Sequence, residues 1–282
     1  MLFRSFRAIR NGLEGRSESP LYKLNQEDLN QQTIDPSVLA EEFIEGREYS
    51  ADFLINGNEV DIIRIAKKIR GDFLPFGTTK AYIVPARMPR WLNQNFLVKK
   101  LLEAAQVLGL KRAICMVDFI VSKEEIVFLE LTPRIGGDCL PTLILNSCGL
   151  DTIGLALDFA EGKKPEIPPP LHWTELVAMR LFSLNSGTLL NVNCKELFED
   201  PRVKKIFIKQ APGHEITIPP EDYDSWLLGQ VIFEPQSNVS IGMQCKDLEA
   251  KIIINVEQYH DQKIDWPYRE DCGDARQASP PA

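Results

Sequence analysis

The apolar positions in the first half of the chain predict strands and one long helix. SVLAEEFI (37–44) and EYSADFLINGNEVDIIRIAKK (48–68) are typical of strands, and Asn56-Gly57-Asn58 is expected to fold the second one into a hairpin. NQNFLVKKLLEAAQVLGL (93–110) has apolar residues at helical spacing and a C-terminal glycine that suits a helix cap. RAICMVDFIV (112–121) and EIVFLEL (125–131) are predicted as two further strands.

The second half is predicted to begin with helices and then to become mostly strands. Helices are expected from about Pro141 and from about Asp151 to Ala160. The Pro-rich connector KKPEIPPPLHW precedes four strand-like runs, which are ELVAMRLFSL, VKKIFIK, GQVIFE and AKIIINVEQY. The pattern therefore predicts an α+β protein with a first domain at 1–165, a small, mostly β domain at 166–258 and a loosely ordered tail at 259–282.

Composition narrows the class of protein. The formal net charge of −8 over 282 residues argues against a broad nucleic-acid surface. No apolar run approaches the ~20 residues of a membrane helix, which predicts no membrane association. None of the six cysteines forms a C-x-x-C pair, and the three histidines are far apart in sequence. We therefore expect a cytoplasmic protein with reduced thiols and without a His-rich zinc site.

Two acidic residues stand among apolar neighbours on the adjacent strands 112–121 and 125–131. If Lys123–Glu125 form the connecting loop, the antiparallel count places Asp118 directly opposite Glu130. Like charges directly across a strand pair repel each other, and burying them without partners is costly. The pair therefore points to a cation held between the two strands.

Magnesium suits such a pair because it favours one or two carboxylates together with phosphate oxygens and water. Thr132 points to the same face as Glu130 and would add a weak oxygen ligand or hold a water. Arg134 would meet a phosphate or a substrate carboxylate with its planar guanidinium group. The alternative is that Asp118 pairs with an arginine and that Glu130 merely ends a strand, and the spacing alone leaves both open.

The turn after this strand carries two further features. Gly136-Gly137-Asp138 precede the predicted helix at Pro141, so their backbone N–H groups would face a bound acid at a helix N-terminus. The alternative is an ordinary turn in which Asp138 or its neighbour caps the helix. Cys139 and Cys148 are expected to be buried small hydrophobic residues rather than nucleophiles.

The order of these motifs resembles the ATP-grasp superfamily. LAEEFIEGREYSAD (39–52) contains a hinge-like segment followed by G-x-E-x-S-x-D, and the acidic strand with Asp118 and the segment ELTPRIGG (130–137) come later. Together they resemble carboxylate–amine ligases such as L-amino-acid ligases and carbamoyl-phosphate synthase domains. The second half, from about 171 to 256, is similar to the β-rich domain that follows ATP-grasp in those ligases.

The resemblance implies a set of nucleotide contacts. Glu41 would face the adenine amino group, and the backbone of Glu42, Phe43 and Ile44 would form the adenine hinge, with Ile44 donating its N–H group. Glu48 would hold the ribose hydroxyls. ATP is the cofactor that these roles imply.

The resemblance also implies metal and catalytic roles. Asp118 and Glu130 would bind the Mg²⁺ ions that bridge the ATP phosphates, with Thr132 where family members usually have asparagine. That replacement would weaken or alter the second metal site, because a hydroxyl is a poorer ligand. Arg134 would steady the transferring phosphoryl group or the acyl phosphate.

The resemblance differs at the beginning of the chain. In the family, a small upstream subdomain supplies a phosphate-binding lysine and a Gly-rich lid, and MLFRSFRAIRNG (1–12) resembles the segment just after those glycines. The chain is therefore expected to hold a partial ATP-grasp domain, working as a homodimer or with a separate N-terminal domain. Lys80, which follows PFGTT, is expected either to contact phosphate or to be an ordinary surface lysine.

Two functions from different classes follow. The first is an ATP- and Mg²⁺-dependent ligase that joins a small-molecule carboxylate to an amine through an acyl phosphate. The second is a truncated or degenerate relative that binds nucleotide or a partner protein without catalysis. A biotin-dependent carboxylase component is a weaker third hypothesis, because the characteristic histidine and glutamine residues are not evident in the sequence.

Overall fold

A computed structural model of the chain describes residues 41–71, 74–75, 77–123, 125–163, 165–169 and 172–258. The chain divides into two units, Met1–Ile44 and Glu45–Ala282. In the first unit residues 41–44 are described, and they form neither helix nor strand, so the strand predicted at 37–44 is absent from its described part. The predicted tail at 259–282 lies outside the described residues.

The second unit contains strands and helices in the following chain order. They are β1 (Arg47–Asn56), β2 (Glu59–Arg70), β3 (Thr79–Val84), α1 (Gln94–Val107), β4 (Arg112–Val121), β5 (Ile126–Thr132), α2 (Leu140–Cys148), α3 (Thr152–Ala160), β6 (Leu176–Phe182), β7 (Gly187–Asn193), β8 (Val203–Ile208), β9 (Glu215–Ile216), β10 (Leu227–Phe233), α4 (Ile241–Glu249) and β11 (Ile253–Glu257). The hairpin at 56–58 and the helices α1, α2 and α3 confirm the sequence predictions.

An eight-stranded antiparallel sheet organises this unit, with the strand order β5-β4-β1-β2-β3-β6-β10-β8. A second sheet has the order β11-β7-β9. The predicted class, α+β with an antiparallel sheet and helices, is confirmed. No single described helix is long and apolar enough to cross a membrane, and α2 and α3, which meet that criterion only as a pair, are bent by 100° at their break.

The two faces of the first strands pack against different helices. Alternate residues of β1, including Tyr49 and Phe53, pack on one face against Leu97 and Leu101 of α1. On the opposite face, Leu54 belongs to a cluster with residues of α3. The residues that precede Leu54 on this second face are Glu48, Ser50 and Asp52, so the charged part of β1 continues directly from an apolar cluster.

The large sheet continues across the boundary predicted near residue 165. β3 pairs with β6 from Ala81 opposite Met179 to Val84 opposite Leu176, and one hydrophobic cluster includes residues from both strands. The division into domains at 1–165 and 166–258 stays a prediction. Within the second half the pattern missed α4, whose buried positions include the polar Gln244, so that its apolar periodicity is weak.

A cluster of charged side chains joins α4 to the turn that precedes β8. Arg202 donates to both carboxylate oxygens of Asp200, at 2.9 and 2.6 Å, and also pairs with Asp247. Lys251 lies 2.7 Å from the same carboxylate. The hydrogen bonds from Arg202 and Lys251 hold the pKa of Asp200 well below its usual range, although burial acts in the opposite direction.

Asp200→Asn is expected to lower the free energy of unfolding at pH 7 by about 2 kcal/mol, because two cations lose their ionised partner. The pKa of Asp200 is lowered by folding, so its stabilising contribution is complete above the usual pKa of ~3.9 and is lost as pH falls towards the lower native value. Urea unfolding at pH 7 and pH 3 should therefore give a smaller difference between variant and parent at pH 3. An equal or larger difference at pH 3 would contradict this, and Asp61→Asn on exposed surface is the control.

Candidate functional site

Charged side chains from four neighbouring strands lie on the sheet face that also carries α2 and α3. Ser50 of β1 is directly opposite Asp118 of β4, and Glu48 and Asp52 stand two residues to either side of it. Asp118 in turn faces Glu130 of β5. Since residues that are paired across antiparallel strands point to the same face, these carboxylates share one surface.

The pairing of Asp118 with Glu130 is confirmed, but the register that predicted it was wrong in two places. The loop holds four residues, 122–125, rather than three, so Val121 faces Ile126. A β-bulge then inserts Leu129 into β5 between the pair at Phe128 and the pair at Glu130. The two one-residue differences cancel, and the carboxylates face each other as the simple count expected.

Lys68 of β2 links two of the predicted site residues. Its ammonium nitrogen lies 3.0 Å from Oε1 of Glu48 and 2.5 Å from Oδ2 of Asp118, and the Lys68 side chain is only 10% exposed. Arg70 donates from Nε to the other oxygen of Glu48 at 3.3 Å. Asp118 thus has a basic partner, as the alternative hypothesis expected, but the partner is a lysine.

The basic residues of β2 were not among the predicted site residues. Arg64, Lys68 and Arg70 stand at even positions of that strand, so they point to the same face as the carboxylates. The signal was present in IIRIAKKIR as a basic residue recurring on one side of an apolar strand. What the sequence could not supply was the strand order, which places β2 next to β1.

Glu130 and Thr132 lie at the outer strand of the sheet. Glu130 is exposed, and the hydroxyl of Thr132 donates to its Oε1 at 2.9 Å. Arg134 follows on the surface, where its Nη1 donates to the carbonyl of Ile135 at 3.0 Å. Thr132 is therefore placed to orient the Glu130 carboxylate, and its predicted role as a metal ligand stays a prediction.

A buried ion pair lies beneath the turn that follows β5. Nη2 of Arg64 is 2.7 Å from Oδ1 of Asp52, and the two side chains are 0% and 1% exposed. The backbone N–H group of Gly136 donates to the same oxygen of Asp52 at 3.1 Å. This N–H group was expected to face a bound acid, but it faces a carboxylate of the protein itself.

The rest of the turn is held by a second ion pair. Asp138 has a positive φ of 57° and its carboxylate lies 2.9 Å from Nε of Arg180 on β6. It does not cap α2, which begins after Cys139 without a side-chain cap. The capping alternative for Asp138 is therefore wrong. Lys80, expected at the surface or against phosphate, is buried and pairs with Glu249 of α4.

The described cysteines are free, and burial raises the pKa of their thiols. Cys139 is fully buried, and burial raises the pKa of its thiol far above the usual range. Burial likewise raises the pKa of Cys115 to about 11. Because the thiolate is the nucleophilic form, these residues have packing roles at neutral pH, as predicted for Cys139.

The predicted adenine hinge lies in the first unit. Glu41, Glu42, Phe43 and Ile44 are all of that unit that the structure describes, so their roles stay predictions. Among the described residues, no group of three or more His, Cys, Asp or Glu side chains is arranged to hold a metal ion. A metal at Asp118 and Glu130 would therefore need further ligands from outside these side chains.

Part of the sequence and the fold are similar to those of known proteins. Residues 20–142 match the model of a family described as the ATP-grasp domain. No curated protein matches the chain. The chain is similar in structure to L-amino acid ligase from Bacillus licheniformis, with 21% identity, a TM-score of 0.63, and coverage of 77% of this chain and 55% of that one.

Two further solved structures have the same fold. Phosphoribosylglycinamide synthetase from Anaerococcus prevotii is 22% identical, with a TM-score of 0.58 and coverage of 77% of this chain and 55% of that one. The biotin carboxylase domain of Hydrogenobacter thermophilus 2-oxoglutarate carboxylase, solved with MgADP, ADP and bicarbonate, is 15% identical, with a TM-score of 0.52 and coverage of 77% and 48%. The chain thus spans about half the length of these structures. Its fold is similar to that of these enzymes, and its residues 20–142 match the model of the ATP-grasp domain family.

Proposed function

We propose that the chain supplies the nucleotide- and metal-binding face of a ligase that uses ATP and Mg²⁺ to join a carboxylate to an amine. The observation that carries this proposal is the pairing of Asp118 with Glu130 on the face that also holds Glu48. The match to the ATP-grasp domain family supports it. Two carboxylates in direct opposition on neighbouring strands repel each other, and a bound cation would relieve this repulsion as Lys68 does at Asp118.

Nucleotide contacts are proposed for Glu48 of β1 and, separately, for residues 41–44 of the first unit. Glu41 would accept from the adenine amino group, while the backbone of Glu42, Phe43 and Ile44 would line the ring edge. Glu48 would accept from the ribose hydroxyls, for which one carboxylate with two oxygens is suited. Lys68 contacts both Glu48 and Asp118, so these two carboxylates lie close together. A ribose at Glu48 would therefore lie next to phosphates at Asp118.

The donor set fits magnesium. Asp118 and Glu130 offer hard carboxylate oxygens on one face, and Mg²⁺ normally takes one or two carboxylates together with phosphate oxygens and water. When bound, the metal would neutralise phosphate charge that otherwise repels a carboxylate nucleophile. Thr132 would hold Glu130 in place through its hydroxyl.

The proposed chemistry has two steps. A substrate carboxylate oxygen attacks the γ-phosphorus of ATP, which forms an acyl phosphate and releases ADP. The amine then attacks the acyl carbon, the C–O bond to phosphate breaks, and an amide and inorganic phosphate are formed. Arg134, exposed in the turn that follows β5, would bind the transferring phosphoryl group or the acyl phosphate with its guanidinium donors.

The surroundings of the reaction are proposed as well. The substrates would be a small-molecule acid and amine, and the complete site would include a second copy or a separate N-terminal domain. A cytoplasmic location is supported by the five free thiols among the described residues.

A second candidate function is nucleotide or partner binding without catalysis. Thr132 favours it, because its hydroxyl is already bound to Glu130 and supplies no amide oxygen to a second metal ion. An ADP-release assay with mixed amino acids separates the two functions. The ligase predicts ADP release that depends on both an acid and an amine, whereas simple binding predicts saturable binding without release.

Glu130→Gln and Asp118→Asn are expected to weaken binding of Mg²⁺–ATP by about tenfold to hundredfold, since even partners of metal ligands contribute that much. Calorimetric titration with ATP, in the presence and absence of Mg²⁺, measures the effect. Glu125→Gln, an exposed residue of the same hairpin, is the matched control. Unchanged affinity in both site variants would refute the metal assignment.

Lys68→Met is expected to increase affinity for Mn²⁺ without nucleotide by about tenfold, because an internal cation no longer competes for Glu48 and Asp118. Electron paramagnetic resonance of free Mn²⁺ measures this binding. Lys67→Met is the control, since Lys67 pairs opposite Tyr49 and points to the other face. Equal or weaker Mn²⁺ binding by Lys68→Met would show that Lys68 does not occupy the metal position.

Arg134→Ala is expected to lower kcat by about a hundredfold while the dissociation constant of ATP changes little, because its contact forms with the transferring group. ADP release under saturating ATP measures kcat. The exposed Arg90 offers a control substitution, Arg90→Ala, that should leave kcat unchanged. A parallel loss of ATP affinity would place Arg134 in ground-state binding instead.

A further inference from the structure

We infer that Asp52 and Arg64 are a positioning pair, which fixes the turn 133–139 so that Arg134 is presented to the reacting phosphoryl group. The inference rests on the proposed function for its catalytic part. Neither residue carries an assigned role in that function. The pair is connected to the turn by a hydrogen bond from the Gly136 N–H group to Asp52.

The pair is rigidly held within the sheet. Arg64 and Asp52 are opposite each other on β2 and β1 and are 2.7 Å apart. Nη1 of Arg64 also donates to the carbonyl and the hydroxyl of Ser50, at 3.0 and 2.5 Å. The guanidinium group is therefore fixed by three acceptors from one strand, and Oδ1 of Asp52 is fixed in turn.

That oxygen is the acceptor for the turn. Gly136 donates its N–H group to Oδ1 of Asp52 at 3.1 Å, across 84 residues of sequence. A Cβ atom at position 136 would overlap Nη2 of Arg64 and lie 3.0 Å from Oδ1 of Asp52. The backbone approaches the ion pair so closely that only glycine fits there.

Other contacts hold the turn at several points and leave the side chain of Arg134 exposed. Ile135 packs into the cluster with Leu54 and Ile63, and Asp138 reaches Arg180 on β6. The turn is thus attached at Ile135, at Gly136 and at Asp138. Arg134 lies between Thr132, whose carbonyl accepts its N–H group at 2.9 Å, and the attachments at Ile135 and Gly136, so a shift of Gly136 would be passed to Arg134 through one intervening residue.

Stability alone is a weak reason for such a pair. Oδ2 of Asp52 and Nε of Arg64 are buried, and within the described ranges neither has a hydrogen-bond partner. A buried ion pair with incomplete hydrogen bonding is often no more stabilising than apolar residues of similar volume. A role in fixing the turn accounts for a charged pair at this position.

The double variant Asp52→Leu/Arg64→Met tests the inference, because it removes both charges and leaves neither one buried alone. Hydrogen exchange at residues 133–139 should accelerate by about tenfold in the folded protein, since the Gly136 N–H group loses its acceptor. Exchange in β4 should stay unchanged. The kcat for ADP release should fall by about a hundredfold, with the ATP dissociation constant preserved, because a shift of about 1 Å in a reacting group has this effect.

A second variant and a control complete the test. Gly136→Ala keeps both charged residues, but its Cβ atom would overlap Nη2 of Arg64 and displace the turn, so it should lower kcat to a similar extent, again without loss of ATP affinity. Asp200→Asn breaks a charged cluster outside the turn and should change neither the turn exchange nor kcat. Unchanged exchange at 133–139 in the double variant, or an unchanged kcat, would overturn the inference.

The outcomes also separate this inference from the function on which it rests. If the unmodified protein binds no Mg²⁺–ATP, the proposed function fails on its own evidence. Faster exchange at the turn in the double variant would then still support the structural half of the inference, which needs no activity to be measured. Unchanged exchange would overturn that half also.

Discussion

Repulsion between carboxylates on adjacent strands is the constraint on which this face of the sheet depends. Glu48, Asp118 and Glu130 come from three neighbouring strands, and β2 supplies the compensating charge. Lys68 pairs with Glu48 and Asp118, Arg70 also pairs with Glu48, and Arg64 pairs with the buried Asp52. On this face, the three neighbouring strands β5, β4 and β1 carry acidic residues, and the next strand, β2, carries basic ones. If a metal ion replaced the Lys68 ammonium group at Asp118, the cation at the site would change but the strand pairing would not.

Local features of the fold were accessible from the sequence because they depend on nearby residues. The turn at Asn56-Gly57-Asn58 and the helix from Gln94 follow from short-range preferences and from apolar periodicity. The Asp118–Glu130 pair was found for a partly wrong reason, because neither the four-residue loop nor the bulge at Leu129 has a clear sequence signature. The predicted pairing was still correct because the loop and the bulge shift the register by one residue each, in opposite directions.

The rest of the candidate site depends on contacts between distant residues. Arg64, Lys68 and Asp52 gain their meaning from the placement of β2 beside β1 and from the Gly136 backbone, which meets Asp52 across 84 residues of sequence. Helix α4 was missed for a related reason, since Gln244 is buried by satisfying backbone groups at Gln236 and Val239 rather than by being apolar. Single-sequence patterns report burial of apolar groups well and burial of bonded polar groups poorly.

The continuous hydrogen bonding between β3 and β6 has a consequence for how the protein can be divided. A fragment ending at residue 165 would leave one side of β3 with unpaired backbone groups along Ala81–Val84. Such an edge, flanked by apolar side chains, is a template for intermolecular strand pairing and aggregation. The Pro-rich connector therefore joins two stretches of chain that contribute strands to the same sheet. The second stretch could be replaced in evolution only by one that also supplies a strand to pair with β3.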